Sequence, residues 1–323
     1  MRKIVLTLLL ALPMLLLAQD GGTAFNILRL PYSSHAAAVG GSNISLPDDD
    51  IMLALHNPAL LANVSDKTLN LSYMSYMSDS KVAGAAFNRM FGERSAAALA
   101  VRYIDYGTFD GYTADNVSTG SFAAKDIELS MLYNYLLSDR WSGGVTGKFI
   151  YSKYESYSSL ALGVDLGVNY YNPDNEFSFS FVLRSLGGQV KAFEDKHESM
   201  PFDVQMGFTK RLAHAPLRLS LTLVNLHKWS KDSFTNPDGS DDSFGDILLK
   251  HAVFGADVLI GNNFYASLGY NYRIAEELSS EVTKWDGLTL GAGVTLKKLK
   301  LGVSYSKLHV SSGSLMFAAS YTL

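Results

Sequence analysis

From residue 67 to the C-terminus the chain is written largely in a period of two. Phe177, Phe179, Phe181 and Leu183 alternate with Ser178, Ser180, Val182 and Arg184. Leu217, Leu219, Leu221 and Leu223 alternate with Arg218, Ser220, Thr222 and Val224, and Leu160, Leu162, Val164, Leu166, Val168 and Tyr170 with Ala161, Gly163, Asp165, Gly167 and Asn169. Leu299, Leu301, Val303 and Tyr305 alternate likewise with Lys300, Gly302, Ser304 and Ser306. Successive strand side chains point to opposite faces, so each segment has one greasy and one wet side. Fourteen such segments are legible: 67–76, 81–91, 94–106, 122–136, 140–153, 157–171, 176–186, 202–211, 216–227, 247–260, 263–275, 284–296, 298–307 and 313–323. Most exceed the ~9–11 residues that a tilted strand needs to cross a bilayer. An even count allows closure with both termini on one side. The pattern predicts an all-β fold, a transmembrane antiparallel β-barrel of about fourteen strands.

The connections sort by parity. Gly92-Glu93, Ser138-Asp139, 172–175, 212–215, Gly261-Asn262 and Lys297-Lys298 are tight, whereas the intervening ones include the long stretches 107–121, 187–201, 228–246 and 276–283. A soluble β-sandwich has no reason to sort loop lengths in this way. A membrane barrel has short periplasmic turns and longer outer loops. Aromatic residues gather at the expected strand ends, as an interfacial girdle requires: Tyr103, Tyr106, Tyr133, Tyr135, Trp141, Tyr151, Tyr170, Tyr171, Tyr270, Tyr272, Trp285 and Tyr305.

The first 66 residues do not alternate. Arg2 and Lys3, the apolar stretch Ile4 to Leu17 and the Leu16-Leu17-Ala18 site predict a secretory signal peptide over 1–18. Residues 19–66 contain Pro31, Pro47 and Pro58 and are rich in apolar side chains such as Phe25, Ile27, Leu28, Ile51, Leu53, Leu55, Leu60 and Leu61. That content favours packing over disorder, so the segment is expected to be a plug or hatch inside the lumen of the 67–323 barrel. Asp48 is the expected N-cap of a short helix reaching about His56, with Asp49 and Asp50 at its positive end and Pro58 as its stop.

Composition narrows the picture further. Charged residues are 18% of the chain, below the ~25% of ordinary globular proteins, and mean hydropathy is +0.07. A net charge of −4 excludes a broad nucleic-acid footprint. There is no Cys, hence no disulfide, thiol nucleophile or lipoprotein anchor. The seven histidines have no zinc-type spacing, and no nucleophile elbow or phosphate loop occurs. Neither enzymatic activity nor a cofactor or metal is expected. The acidic loop 228–246 reads as a solvated surface. The charged residues at inward positions, Arg102, Glu128, Lys148, Asp165, Arg184, Asp203, Arg218, Asp257 and Arg273, mix both signs. This suits a lumen packed against a plug by ion pairs better than a selective pore. The glycines Gly143-Gly144 and Gly291 with Gly293 are either lumen-facing small residues or strand kinks.

Residues 25–62 carry a denser signature: Phe25-Asn-Ile-Leu-Arg-Leu-Pro31, Ser34-His-Ala-Ala-Ala-Val-Gly40-Gly41, Asn43-Ile-Ser45, Asp48-Asp49-Asp50 and Asn57-Pro58-Ala59-Leu-Leu61. This stretch resembles the N-terminal signature of the PorV/PorQ family of the type IX secretion system of Bacteroidetes. Its Asn57-Pro58-Ala59 element also resembles the hatch of the wider FadL-like fatty-acid transporter superfamily. Many relatives place a small residue before Arg where this chain has Ser34-His35. The last strand ends Phe317, Ala319, Tyr321, Leu323 on one face, similar to the assembly signal of outer-membrane barrels, with Leu in place of the usual Phe. The resemblance implies a non-enzymatic outer-membrane role with the surface attachment complex, whose members include PorU, PorV and PorZ, in contact with outer-membrane lipid and lipopolysaccharide. It implies a docking surface in loops 107–121, 187–201, 228–246 and 276–283. Passive transport of hydrophobic molecules, as in FadL, and cargo shuttling, as in PorV, are the alternatives it leaves open.

Overall fold

The computed structural model describes residues 25–323 apart from 78, 113, 114, 116, 196, 231–233, 235–241, 262, 279–285, 310 and 311. The predicted signal peptide, Trp285 and most of the acidic loop charges lie outside the described residues. Fourteen antiparallel strands form a closed barrel in sequence order. They are β1 (Thr68–Ser75), β2 (Lys81–Phe91), β3 (Ser95–Tyr112), β4 (Ser118–Leu136), β5 (Trp141–Tyr154), β6 (Tyr157–Asn172), β7 (Phe177–Lys191), β8 (Asp203–Arg211), β9 (Leu217–Leu223), β10 (Ala252–Ile260), β11 (Phe264–Asn271), β12 (Leu288–Leu296), β13 (Leu299–His309) and β14 (Ser312–Thr322). Closure comes from β1 and β14, paired from Thr68↔Thr322 to Ser75↔Leu315.

The barrel is inside-out relative to a soluble protein. Along β6, Leu162, Val164 and Leu166 are exposed while Ala161, Gly163, Asp165 and Gly167 are buried. The same holds on β3, where Leu99 and Val101 face outward and Arg102 is buried. A ring of exposed apolar side chains around a buried polar interior is stable only when lipid covers the outside. Tyr133, Tyr135 and Trp141 are exposed at the short-turn end, with Trp141 packed on Tyr170 at 5.2 Å between ring centres. Tyr106 departs from the expected girdle. It turns inward, donating to the buried Asp126 Oδ2 at 2.8 Å.

Several expected boundaries move, three of them substantially. The stretch 107–121 is mostly strand: after a register shift between Asp105 and Thr108, Thr108 to Gly111 pair with Ala123 to Gly120, and Phe109 stacks on Phe122 at 5.6 Å. Because β2 ends its pairing at Asp105 and β5 begins at Ala124, this part is a free two-stranded ribbon rising from the rim. Residues 247–250, expected to begin the tenth strand, lie instead in helix α3 (Phe244–Lys250), because Ser243 and Asp246 cap each other reciprocally. Residues 272–278 leave β11 as helix α4 (Tyr272–Leu278), started by Asn271 Oδ1 accepting the Ile274 N–H. Ala275-Glu276-Glu277-Leu278 are all strong helix formers.

Candidate functional site: the plug and its seat in the lumen

Residues 25–66 fill the barrel. Phe25, Ile27, Leu28 and Leu30 pack near the long-loop end with Met74, Val82, Ile104, Ile150 and Met200. The chain then turns through helix α1 (Ser34–Ala38), helix α2 (Ile51–Ala54) and a 3₁₀ turn over Pro58–Asn63. Each start is capped from its own sequence. Ser33 accepts the His35 and Ala36 N–H groups, Asp50 accepts Met52 N–H, and Asn57 accepts Ala59 N–H ahead of Pro58.

The acidic triplet therefore divides its work differently from the sequence expectation. The cap is Asp50, not Asp48, and the helix is one turn long. Asp48 instead faces the wall, 2.6 Å from Arg218 Nη1 on β9 and 2.9 Å from His35 Nδ1. Asp49 pairs with Lys300 on β13 and accepts from Ser65 N–H at 2.7 Å. Asp50 also accepts the Ser33 hydroxyl at 2.6 Å.

His35, which spacing alone did not single out, is the hub. Its Nε2 lies 2.9 Å from Asp257 Oδ1 on β10, and its ring stacks on Tyr265 of β11 with centres 3.9 Å apart. Arg218 Nε closes the ring by donating to Asp257 Oδ2 at 2.8 Å, and Ser267 Oγ donates to Asp257 Oδ1 at 2.6 Å. Burial works against a charged imidazole, but the carboxylates of Asp257 and Asp48 outweigh it and raise His35 to about 9. Burial would raise Asp48; the Arg218 and His35 charges more than reverse that and hold it well below the usual carboxylate range. Two anions and two cations thus cancel, and every member has a charged partner. That is the condition under which buried charge is tolerated.

A second contact lies on the opposite wall. Tyr32 Oη donates to Glu128 Oε1 at 2.9 Å and accepts from Lys148 Nζ at 3.3 Å, while Lys148 pairs with Asp165 at 2.6 Å. Arg102 lies 4.0 Å above the Tyr32 ring and donates to the Ile27 carbonyl at 2.7 Å. His56 Nε2 accepts the Tyr32 N–H at 3.0 Å. Burial first, then Arg184, Arg102 and Lys148, keep His56 well below its ordinary value and so uncharged.

Asn57-Pro58-Ala59 rests on β4 to β7. Asn57 Nδ2 donates to the Ile44 carbonyl and to Ser180 Oγ, and the Ala59 carbonyl accepts from Asn134 Nδ2 and Ser142 Oγ. This seat demands small residues in the wall. A Cβ at Gly144 would lie 2.5 Å from the Pro58 carbonyl carbon. Gly40, at φ 104, takes a turn that other residues resist and donates to Thr289 Oγ1 at 2.9 Å. Gly41, at φ 90, follows in the same turn. Of the glycines expected as kinks or small lumenal residues, Gly144 faces Pro58, Gly291 faces Ala38 and Gly293 faces Tyr265, whereas Gly143 lies against Leu137. The wall bends elsewhere: β6 and β7 shift register around Asp165, which accepts Ser185 N–H at 2.7 Å with Ser185 at φ 55.

Of the expected lumenal charges, Arg102, Glu128, Lys148, Asp165, Arg218 and Asp257 all enter these contacts. Asp203 accepts instead from Gln205 and Asn225, and Arg273 pairs with Glu277 on α4 at 3.1 Å. Apolar depressions of about 420 and 460 Å³ surround Ala256 and Ala292 on the outer, lipid-facing side of the wall. Among the expected docking stretches, 187–201 holds Phe193 stacked on Tyr154 at 5.0 Å, and Asp242 of 228–246 pairs with the buried Lys250 at 2.7 Å. Most of 276–283 lies outside the described residues.

No protein-family profile and no curated protein sequence matches the chain. Solved structures do match its fold. A deltaS2S3 mutant of the monoaromatic hydrocarbon channel TodX superposes with a TM-score of 0.60 at 13% identity, over 92% of this chain and 99% of the other. A Pseudomonas aeruginosa FadL homologue gives 0.56 at 11% identity, covering 90% and 98%. The Pseudomonas putida toluene transporter TodX gives 0.55 at 12% identity, also covering 90% and 98%. The chain has the fold of FadL-like barrels: a closed fourteen-stranded transmembrane barrel whose N-terminal segment occupies the lumen.

Proposed function

We propose that the protein is a non-enzymatic outer-membrane barrel that works as a sealed surface scaffold, anchoring the attachment complex of type IX secretion. Within the PorV/PorQ family the signature over 25–62 is most similar to PorQ, and the partner this implies is PorZ, with PorU and PorV in the same assembly. The observation that carries the reading is the charge-neutral lock of His35, Asp48, Arg218 and Asp257, which ties the plug to the wall. A barrel whose lumen is held shut by buried ion pairs is suited to presenting its rim, where the β3–β4 ribbon and α3 and α4 stand ready for a partner.

Passive transport of hydrophobic molecules is the second reading, favoured by the fold shared with TodX and the FadL homologue and by the bend at Asp165 and Ser185. It requires the plug to yield. A PorV-like cargo shuttle is the third. Affinity purification of the tagged barrel from native membranes separates them. PorZ in stoichiometric yield is the expected result. Cargo with PorU points to the shuttle, and bound fatty acid without a protein partner to the transporter; either overturns the scaffold.

A further inference from the structure

The outer face of the barrel carries a row of cations at the long-loop rim. Lys81 on β2 stands opposite Asp105 on β3, Asp105 opposite Lys125 on β4, and Lys125 opposite Lys153 on β5. Lys153 faces Ser158 on β6, whose hydroxyl accepts from Lys191 Nζ of β7 at 2.7 Å. All four lysines are exposed; Lys81, Lys125 and Lys153 alternate with the buried Val82, Asp126 and Ser152, and Lys191 stands opposite Leu160, whose neighbour Ala161 is buried, so they share the lipid-facing side. Side chains directly opposite on one face lie about 5 Å apart, and like charges there repel.

None of these four ammonium groups pairs with a carboxylate among the described residues. Asp105 is turned to its own backbone, accepting Gly107 N–H at 2.9 Å. The contrast with other rim lysines is sharp: Lys307 pairs with Asp286 and Lys250 with Asp242. One level nearer the bilayer centre the same strands present Tyr103, Ile127 and Tyr151, and below Tyr151 comes Phe149. A row of four cations and one anion, net positive, directly above an apolar aromatic wall matches an anionic amphiphile, with its head at the lysines and its chains on the wall.

We propose that Lys81, Lys125, Lys153 and Lys191 bind the phosphate groups of an acylated, phosphorylated glycolipid of the outer leaflet. The site rests on the outer-membrane reading above. It gives the scaffold a fixed lipid neighbour beneath the β3–β4 ribbon, on one side of the barrel only.

The test is native mass spectrometry of the full-length mature barrel released from nanodiscs of phosphatidylcholine doped with diphosphorylated lipid A. Wild type retains the diphosphorylated form over its dephosphorylated counterpart by at least about tenfold. Each surface lysine near a charged headgroup contributes about a factor of five, so Lys125→Gln with Lys153→Gln lowers retention about thirty-fold. The pair Lys297→Gln with Lys298→Gln, at the opposite rim, leaves it unchanged. Equal retention by both double variants overturns the site, as does displacement of the lipid by inorganic phosphate alone, which would mark a free-phosphate site. A barrel that enters nanodiscs but shows no preference overturns only the lipid site. A chain that does not enter them overturns the membrane reading as well.

Discussion

His35 has a carboxylate at each ring nitrogen, so its proton is held by geometry contributed from two separate parts of the chain. Its charged form stabilises the plugged state, and the pH dependence follows. At pH below about 6.5 the imidazole is protonated whether the plug is seated or not, and the lock is at full strength. As pH rises above that value the unseated state releases its proton first. The contribution then shrinks and is lost once pH passes about 9. Amide exchange in residues 33–50, corrected for intrinsic rates, is expected to stay slow at pH 5 to 6 and to quicken toward pH 9, with a His35→Gln variant showing no such change. Arg218→Met removes a side chain that, like His35, touches both carboxylates. Breaking a buried pair from one side costs about 3–5 kcal/mol. The same segment should exchange faster by orders of magnitude while the strand amides stay protected.

At the scale of elements, the wall and the plug are fitted to each other through small residues. Gly144→Val would drive a side chain into the Pro58 backbone. Overpacking of this kind costs about 1–3 kcal/mol, and faster exchange at 57–63 with an unchanged β-sheet circular dichroism signal is the expected readout. The β3–β4 ribbon is the converse case, an element that nothing in the barrel requires. Replacing 107–123 by Asn-Gly should leave heat-modifiable gel mobility intact and reduce the yield of the surface partner; full partner recovery would remove the ribbon from the docking surface.

What the sequence reveals and conceals follows from the range of the interactions. Strand number and inward charges are legible because alternation is local, and each of the fourteen segments overlaps one strand. Helix α3 was hidden because Ile247, Leu249 and His251 also space by two, and the cap that decides against a strand is the Ser243–Asp246 pair; α4 was hidden because Tyr270, Tyr272 and Ile274 space by two as well, and its start rests on the Asn271 side chain. The plug lock was hidden for a different reason. Asp48 reads locally as a cap, yet its partner Arg218 is 170 residues away, and His35 and Asp257 are 222 apart. Sequence spacing alone does not announce such pairs. Only the mixed signs of the lumenal positions hinted that a plug would neutralise them.

For the whole molecule, a barrel with a seated plug should not conduct. In planar bilayers the wild-type protein is expected to be silent, and a variant lacking residues 25–66 to open steady channels; conduction by wild type of the same size would mean that the plug does not seal. All of this depends on the chain presenting lipid on one face and plug on the other. Because the sequence has no cysteine, single spin labels can be placed without background at successive positions 160–168 of β6 in the reconstituted barrel. The account predicts a period of two: high oxygen accessibility at 162, 164 and 166, and low accessibility to both oxygen and a polar nickel reagent at 161, 163 and 165. Accessibility to the polar reagent that is equal at all positions would contradict it.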